Sequence, residues 1–243
     1  VELTYTSNAI EGNTLTRQET ALVVEKGITV AGKTITEHLE AVNHAQAFEY
    51  IEHLATNGDT PLTEDHILKI HEQILQNIDS LQAGRYRTVS VRIAGSSVIM
   101  PNSVKIPKLM RDFMDWLQTP NLDPIQRAVD AHLKLVSIHP FTDGNGRTAR
   151  LVMNLLLLRA GFPPAIIRKE ERKRYISAIE KAQLTGELEP YYSLMNDSLH
   201  RSLDLYLEAL GVNISKEFKI AGSGEKKNTL LKIGTSYASH SFG

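Results

Sequence analysis

Cysteine is absent from the 243 residues, which excludes disulfides and thiolate metal sites and leaves either redox compartment open. Charge of one sign is also missing. The 27 Lys and Arg against 28 Asp and Glu leave a formal charge of −1, so the overall balance supplies no attraction to a phosphate backbone. A nucleic-acid surface would need a local basic patch. No long apolar run exists either: the 151–158 stretch is broken by Asn154 and stopped by Arg159, far short of a membrane span. Val1 is not followed by a charged-then-apolar leader, so no signal peptide is expected in these residues. What is present suffices for folding. At 42% hydrophobic and 23% charged the chain can offset its conformational entropy, which excludes disorder as the dominant state and suits one large domain or two small ones.

Helical periodicity runs through almost the whole chain, so the expected fold class is all-α. Thr16 and Glu19 form a capping box ahead of Ala21, Leu22 and Val24, and Gly27 ends that segment. Thr34 and Glu37 repeat the device before a helix whose Ala41, Ala45, Phe48 and Ile51 share a face. Thr63 caps a third, where Ile67, Ile70, His71, Ile74 and Leu75 keep helical spacing. Pro107 is expected as the first residue of another, and Asp123 and Pro124 open the next. Further helices are expected near 147–160, 170–184 and 190–210. One segment breaks the period. Val89, Val91 and Ile93 alternate with Ser90 and Arg92, Gly95 and Ser96 offer a turn, and Val98 and Ile99 return before Pro101. This predicts one β-hairpin, lying on the helices as a flap because two strands alone are marginal in water. Residues 1–210 are expected as the domain and 211–243, rich in Gly, Ser, Lys and Thr, as a linker or truncated extension.

The informative stretch is His139-Pro140-Phe141-Thr142-Asp143-Gly144-Asn145-Gly146-Arg147-Thr148-Ala149-Arg150, joining two helices. Gly144 and Gly146 let backbone N–H groups turn inward at a helix N-terminus, which makes an anion site. Arg147 and Arg150 oppose the helix dipole there, so a negative ligand should repay them. Asp143 can hold Mg²⁺ while substrate phosphates complete its shell, and His139 is a base titrating near neutrality. The set describes phosphoryl or nucleotidyl transfer. Taken singly, each residue has a plainer reading: Asp-Gly and Asn-Gly are turn dipeptides, and a histidine before proline can cap a helix. Other motifs fail on detail. The Gly144 to Ala149 match to a dinucleotide fingerprint follows a helix rather than a strand, a calcium loop from Asp143 would need different residues at Arg147, Thr148 and Asn154, and no Walker lysine follows either glycine.

Together these residues resemble, without a mismatch, the Fic family signature His-x-Phe-x-(Asp/Glu)-Gly-Asn-Gly-Arg-x-x-Arg. The resemblance covers about residues 7–205. It is similar in particular to the bacterial and animal branch with an inhibitory helix ahead of the core. That branch's motif, (Ser/Thr)-x-x-x-Glu-(Gly/Asn), is present as Ser7-Asn8-Ala9-Ile10-Glu11-Gly12. The resemblance implies a Fic-fold helical bundle with one β-hairpin flap, an inhibitory helix at about 4–12, and transfer of AMP from ATP, with Mg²⁺, to a protein hydroxyl.

It also implies roles. His139 would deprotonate the acceptor and Asp143 would bind Mg²⁺. The Gly144 to Gly146 backbone would cradle phosphates, with Asn145 on the α-, Arg147 on the β- and Arg150 on the γ-phosphate. Glu11 would hold Arg150 away from the nucleotide, a pair hard to displace in a closed pocket. The flap, through Val89, Val91, Ile93 and Val98, would align the target. Tyr175, Ile179 and Gln183 would line the adenine pocket, although core packing on an amphipathic helix also accounts for Tyr175 and Ile179. Expected partners are a Ser, Thr or Tyr hydroxyl of a target protein, the chain itself as a target, and a second copy as a homodimer. No membrane partner is expected, and nucleic acid only through a missing C-terminal module, which Lys226, Lys227 and Lys232 are too few to argue. The expected setting is cytoplasmic, in a bacterium. Two competitors stay open: hydrolytic removal of AMP with Glu11 positioning water, and a nucleotide-sensing regulator.

Overall fold

In the computed structural model, which describes residues 1–56, 61–93 and 96–211, every regular element is helical. The helices are α1 (Glu2–Ile10), α2 (Arg17–Lys26), α3 (Ile35–Thr56), α4 (Glu64–Leu75), α5 (Ile106–Leu117), α6 (Pro124–Ile138), α7 (Asn145–Arg159), α8 (Arg172–Thr185) and α9 (Glu189–Ala209). The caps read from sequence form. Thr16 Oγ1 accepts the Glu19 N–H while Glu19 accepts the Thr16 N–H, and Thr34 and Glu37 do the same. At Thr63 the reciprocal partner is His66, and Asp123 accepts the Gln126 N–H. Two bounds differ. The helix before α6 starts at Ile106, not Pro107, because a short 3₁₀ turn at Ser103–Lys105 leads into it. The first helix stops at Ile10, because Gly12 turns the chain with φ +105° and leaves Glu11 as the cap.

The α7 helix runs through the middle. Residues 147–155 are all buried, against α3, α4 and α6, so polar residues there need internal partners. Asn154 shows this: its side chain accepts the Ala165 N–H at 2.8 Å and donates to the Ala165 carbonyl. Ile10 of α1 joins the same core, whereas Leu15, Val23 and Ala41 form a small separate cluster under α2. No helix among the described residues is long and apolar enough to cross a membrane.

The expected β-hairpin is not there: the described residues between 87 and 101 contain no strand. The chain bends at residues 88–89, and side chains supply backbone partners that a ladder would have supplied. Arg87, 2% exposed, donates from Nη1 to the Val89 carbonyl at 2.9 Å and from Nη2 to the Pro101 carbonyl at 2.6 Å. At the far end, Ser96 Oγ and the Ser97 N–H donate to Glu180 of α8. Val89 and Ile99 point to solvent, 54% and 92% exposed, so the limbs share no buried face that would fix a register. Gly95, the expected turn glycine, and the stretch 212–243 lie outside the described residues.

Candidate active site

The α6 helix is closed by its C-cap, His139, in the left-handed region at φ +51°, uncommon for a side-chain-bearing residue. The conformation is held from several sides. The His139 N–H reaches the Leu135 carbonyl at 2.9 Å, its own carbonyl accepts Arg87 Nε at 2.7 Å, and the Arg87 N–H donates to Pro140 at 2.9 Å. His139 Nδ1 stands 3.3 Å from the Val136 carbonyl. A carbonyl only accepts, so Nδ1 carries the proton and Nε2 keeps a lone pair. Burial lowers the ring's pKa, with Arg87 adding to the shift against the opposing Val136, Glu11 and Asp143.

The loop to α7 is clasped from within. The Asn145 side chain accepts the Phe141 N–H and donates to the Phe141 carbonyl, both at 2.9 Å. Only one of the two Nδ2 hydrogens is used, which leaves the other for a further acceptor. His71 stacks on Phe141, ring centroids 3.6 Å apart. It accepts the Gly84 N–H at Nδ1 and bonds the Asp143 carbonyl through Nε2, and burial pushes its pKa down to about 4. Gly144 adopts φ +72° beside that ring. Gly146 is small for another reason: a Cβ there would collide with the Glu11 carboxylate. No side chain caps α7, so its N-terminal turn keeps its partial positive charge beside the cavity.

Both arginines are buried and carry acidic partners. Arg147 pairs with Glu40 at 2.9 Å and with Asp143 at 3.1 Å; Glu40 also accepts from Asn13, just beyond Glu11. Arg150 Nη2 meets Glu11 Oε1 at 2.7 Å and the Ser7 carbonyl at 2.9 Å, and Nε meets Ser7 Oγ at 3.0 Å. Burial works against the Arg150 charge, but Glu11 and Tyr175 raise its pKa nonetheless. The Glu11 side chain is 37% exposed. The pair therefore sits at a wet edge rather than in a closed pocket.

One cavity of about 260 Å³ collects most of the residues singled out in sequence: Glu11, His139, Asp143, Gly144 to Gly146, Arg150, Tyr175, Ile179 and Gln183, with Val91 and Ile93 from the flap segment. Arg147, Val89 and Val98 do not line it. Gln183 is held by a bond to Ser137 Oγ. The sequence left Arg87, Glu40 and the buried His132 without a role here. His71 stood inside an apolar helical pattern, the one available hint that it was a satisfied core histidine.

The fold and site define a helical bundle whose central helix starts on an uncapped glycine loop, with a histidine capping the preceding helix beside it. Residues 61–157 match the Fic/DOC family, so the chain carries a Fic domain. It is 42% identical over 206 residues to the protein adenylyltransferase Fic of Nematostella vectensis, and 38% identical over 229 residues to fic-1 of Caenorhabditis elegans. These alignments take in 84% and 93% of the chain but 48% and 44% of the relatives, so the chain spans about half the length of the curated relatives it matches. The solved Fic-1 structure of Caenorhabditis elegans superposes with a TM-score of 0.79 at 37% identity, covering 86% of this chain and 62% of that one. A Fic-domain signalling protein of Bacteroides thetaiotaomicron gives 0.78 at 29%, covering 88% of each. These curated relatives are animal proteins, so the expectation of a bacterial source has no support from them.

Proposed function

We propose that the chain is a protein adenylyltransferase held in check by its own Glu11. The observation that carries the reading is the Glu11–Arg150 pair at the mouth of a glycine anion loop, facing a histidine with a free Nε2. His139 Nε2 takes the proton of a target hydroxyl. The oxygen forms its bond to the α-phosphorus of ATP as the bond from that phosphorus to the bridging oxygen breaks, and pyrophosphate leaves. The α7 N-terminus stabilises the charge from a fixed position. Asp143, its side chain 69% exposed, suits Mg²⁺ as one carboxylate among phosphate oxygens and water. Among the described residues no three ligands gather to hold a metal without them. When bound, the ion would neutralise phosphate charge during transfer. With Glu11 on Arg150, ATP meets a closed γ-phosphate site and its α-phosphorus is out of line.

Removing the carboxylate frees a charge-assisted contact worth roughly 1.5–3 kcal/mol, about tenfold to a hundredfold in rate. Mass spectrometry after incubation with ATP and Mg²⁺ tests this. Glu11→Gly should gain adenylate on itself far faster than the parent, and adding Arg150→Ala should cancel most of the gain. A Glu11→Gly protein that leaves no adenylate on itself or on added protein would overturn the reading. AMP removal is the second reading, favoured because Glu11 and His139 face one cavity. Glu11 would then position the attacking water, and Glu11→Gly should release no AMP from a modified target.

A further inference from the structure

Arg150, on the reading above, exchanges Glu11 for a phosphate, and something must keep it aimed at the cavity meanwhile. Glu11 and Ser7 both belong to the α1 segment, so they move together if that helix shifts. The remaining partner is anchored elsewhere: Arg150 Nη1 lies 3.3 Å from the Tyr175 hydroxyl on α8. Behind it runs a line of buried groups. The Tyr175 hydroxyl is 2.7 Å from His132 Nε2, His132 Nδ1 is 2.8 Å from the Tyr191 hydroxyl, and that hydroxyl is 2.8 Å from the Val129 carbonyl. Tyr175, His132 and Tyr191 are each 2% exposed or less.

The two ends fix the direction of every proton. The Val129 carbonyl cannot donate, so Tyr191 gives it the only hydroxyl proton it has and must accept from His132 Nδ1–H. A neutral imidazole protonated at Nδ1 offers a lone pair at Nε2, and Tyr175 donates its single proton there. The Tyr175 lone pairs are then left for Arg150, which has none and only donates. Burial and the nearby Arg150 charge push the His132 pKa down to about 3, so the ring is neutral near pH 7.

We propose that His132 is a positioning residue: by committing the Tyr175 proton it makes that tyrosine an obligate acceptor, which keeps Arg150 aimed at the terminal phosphate once Glu11 has withdrawn. The inference rests on Arg150 reading that phosphate, and the test separates the two claims. Calorimetry with Mg²⁺ would compare ATP and ADP on a Glu11→Gly, His139→Ala parent, which cannot turn ATP over. The parent should prefer ATP by roughly tenfold to a hundredfold, the worth of one charge-assisted contact. Adding His132→Leu should bring the preference toward parity with ADP affinity unchanged. His132→Gln, which retains one donor and one acceptor, should keep most of it. Should His132→Leu not fold, Tyr191→Phe, which lies outside the cavity, removes the acceptor that fixes the His132 Nδ1 proton and should likewise lower the ATP preference with ADP affinity unchanged. An unchanged ATP preference, or equal losses for ATP and ADP, would overturn the proposal. A parent with no preference for ATP would instead remove the Arg150 reading, and this proposal with it.

Discussion

In the proposed reaction the two ring nitrogens of His139 have separate tasks, Nδ1 tied to the Val136 carbonyl and Nε2 left for the acceptor proton. The ring does not touch the nucleotide in this scheme, so His139→Ala should abolish transfer while ATP binding measured by calorimetry persists. Its pKa lies below the ordinary 6.5 because burial disfavours the charged ring. The base is therefore neutral above that value, and the transfer rate of Glu11→Gly should stay flat near pH 7 and fall only below pH 6.5. An acid limb centred above pH 7 would remove His139 as the base. His139, the two glycines and Arg150 were legible in the sequence because they share one contiguous motif whose chemistry is local, whereas Glu11, 139 positions from Arg150, was reached only through the family resemblance. Glu40 was not, since it meets Arg147 across 107 positions, nor was Arg87, which meets the His139 carbonyl across 52. Nothing near either residue in the chain announces a partner so distant.

At the scale of elements, α1 is unusual in what it buries: Thr4, Thr6, Ser7 and Asn8 beside Leu3, Ala9 and Ile10. Such a face docks through hydrogen bonds, each worth about 1 kcal/mol net, rather than through a large apolar area. The bonds are few and specific: Asn8 to the Glu40 carbonyl, Arg150 to Ser7, and Arg172 Nε to the Ile10 carbonyl at 2.6 Å. Arg172 holds the residue just before Glu11 yet takes no part in the cavity. Arg172→Ala should loosen Glu11 and raise self-modification by roughly tenfold, the worth of one bond from a charged donor. Faster hydrogen exchange confined to α1 should accompany it; a rate equal to the parent's would show that Ile10 and Ser7 hold the helix alone. Helix ends were readable because caps and φ > 0 glycines act within a few residues. The flap was misread because period-two alternation signals an extended chain and is silent about pairing. Its partners are the side chains of Arg87 and Glu180.

For the whole molecule, three neutral histidines sit in three different junctions. His44 lies between α1 and α3, with Nδ1 near Thr4 Oγ1; His71 lies between α4 and the glycine loop; His132 lies between α6, α8 and α9. Burial is the first cause of depression for all three, to about 3 for His44 and His132 and about 4 for His71, from an ordinary 6.5. In the unfolded chain they protonate below 6.5, whereas in the fold they stay neutral until pH 4 or lower. The unfolded state therefore binds more protons across that window, and stability falls as pH falls through it. Each such histidine costs about 1.4 kcal/mol per pH unit, so roughly 4 kcal/mol should be lost by pH 5.5. Glu37, held down to about 2 by hydrogen bonds from Thr14 and Thr34, contributes stability that is lost only below 4.5. Between 6.5 and 4.5 the histidines therefore dominate, opposed by Glu52, whose carboxyl burial raises above 4.5. Denaturant unfolding across this interval should show a stability slope near three protons, with His139 adding in the same direction, and His132→Gln should reduce that slope by about one. A stability flat from pH 6.5 to 5 would mean that these rings accept protons inside the folded chain, and that the ordered line from Val129 to Arg150 does not hold its tautomer.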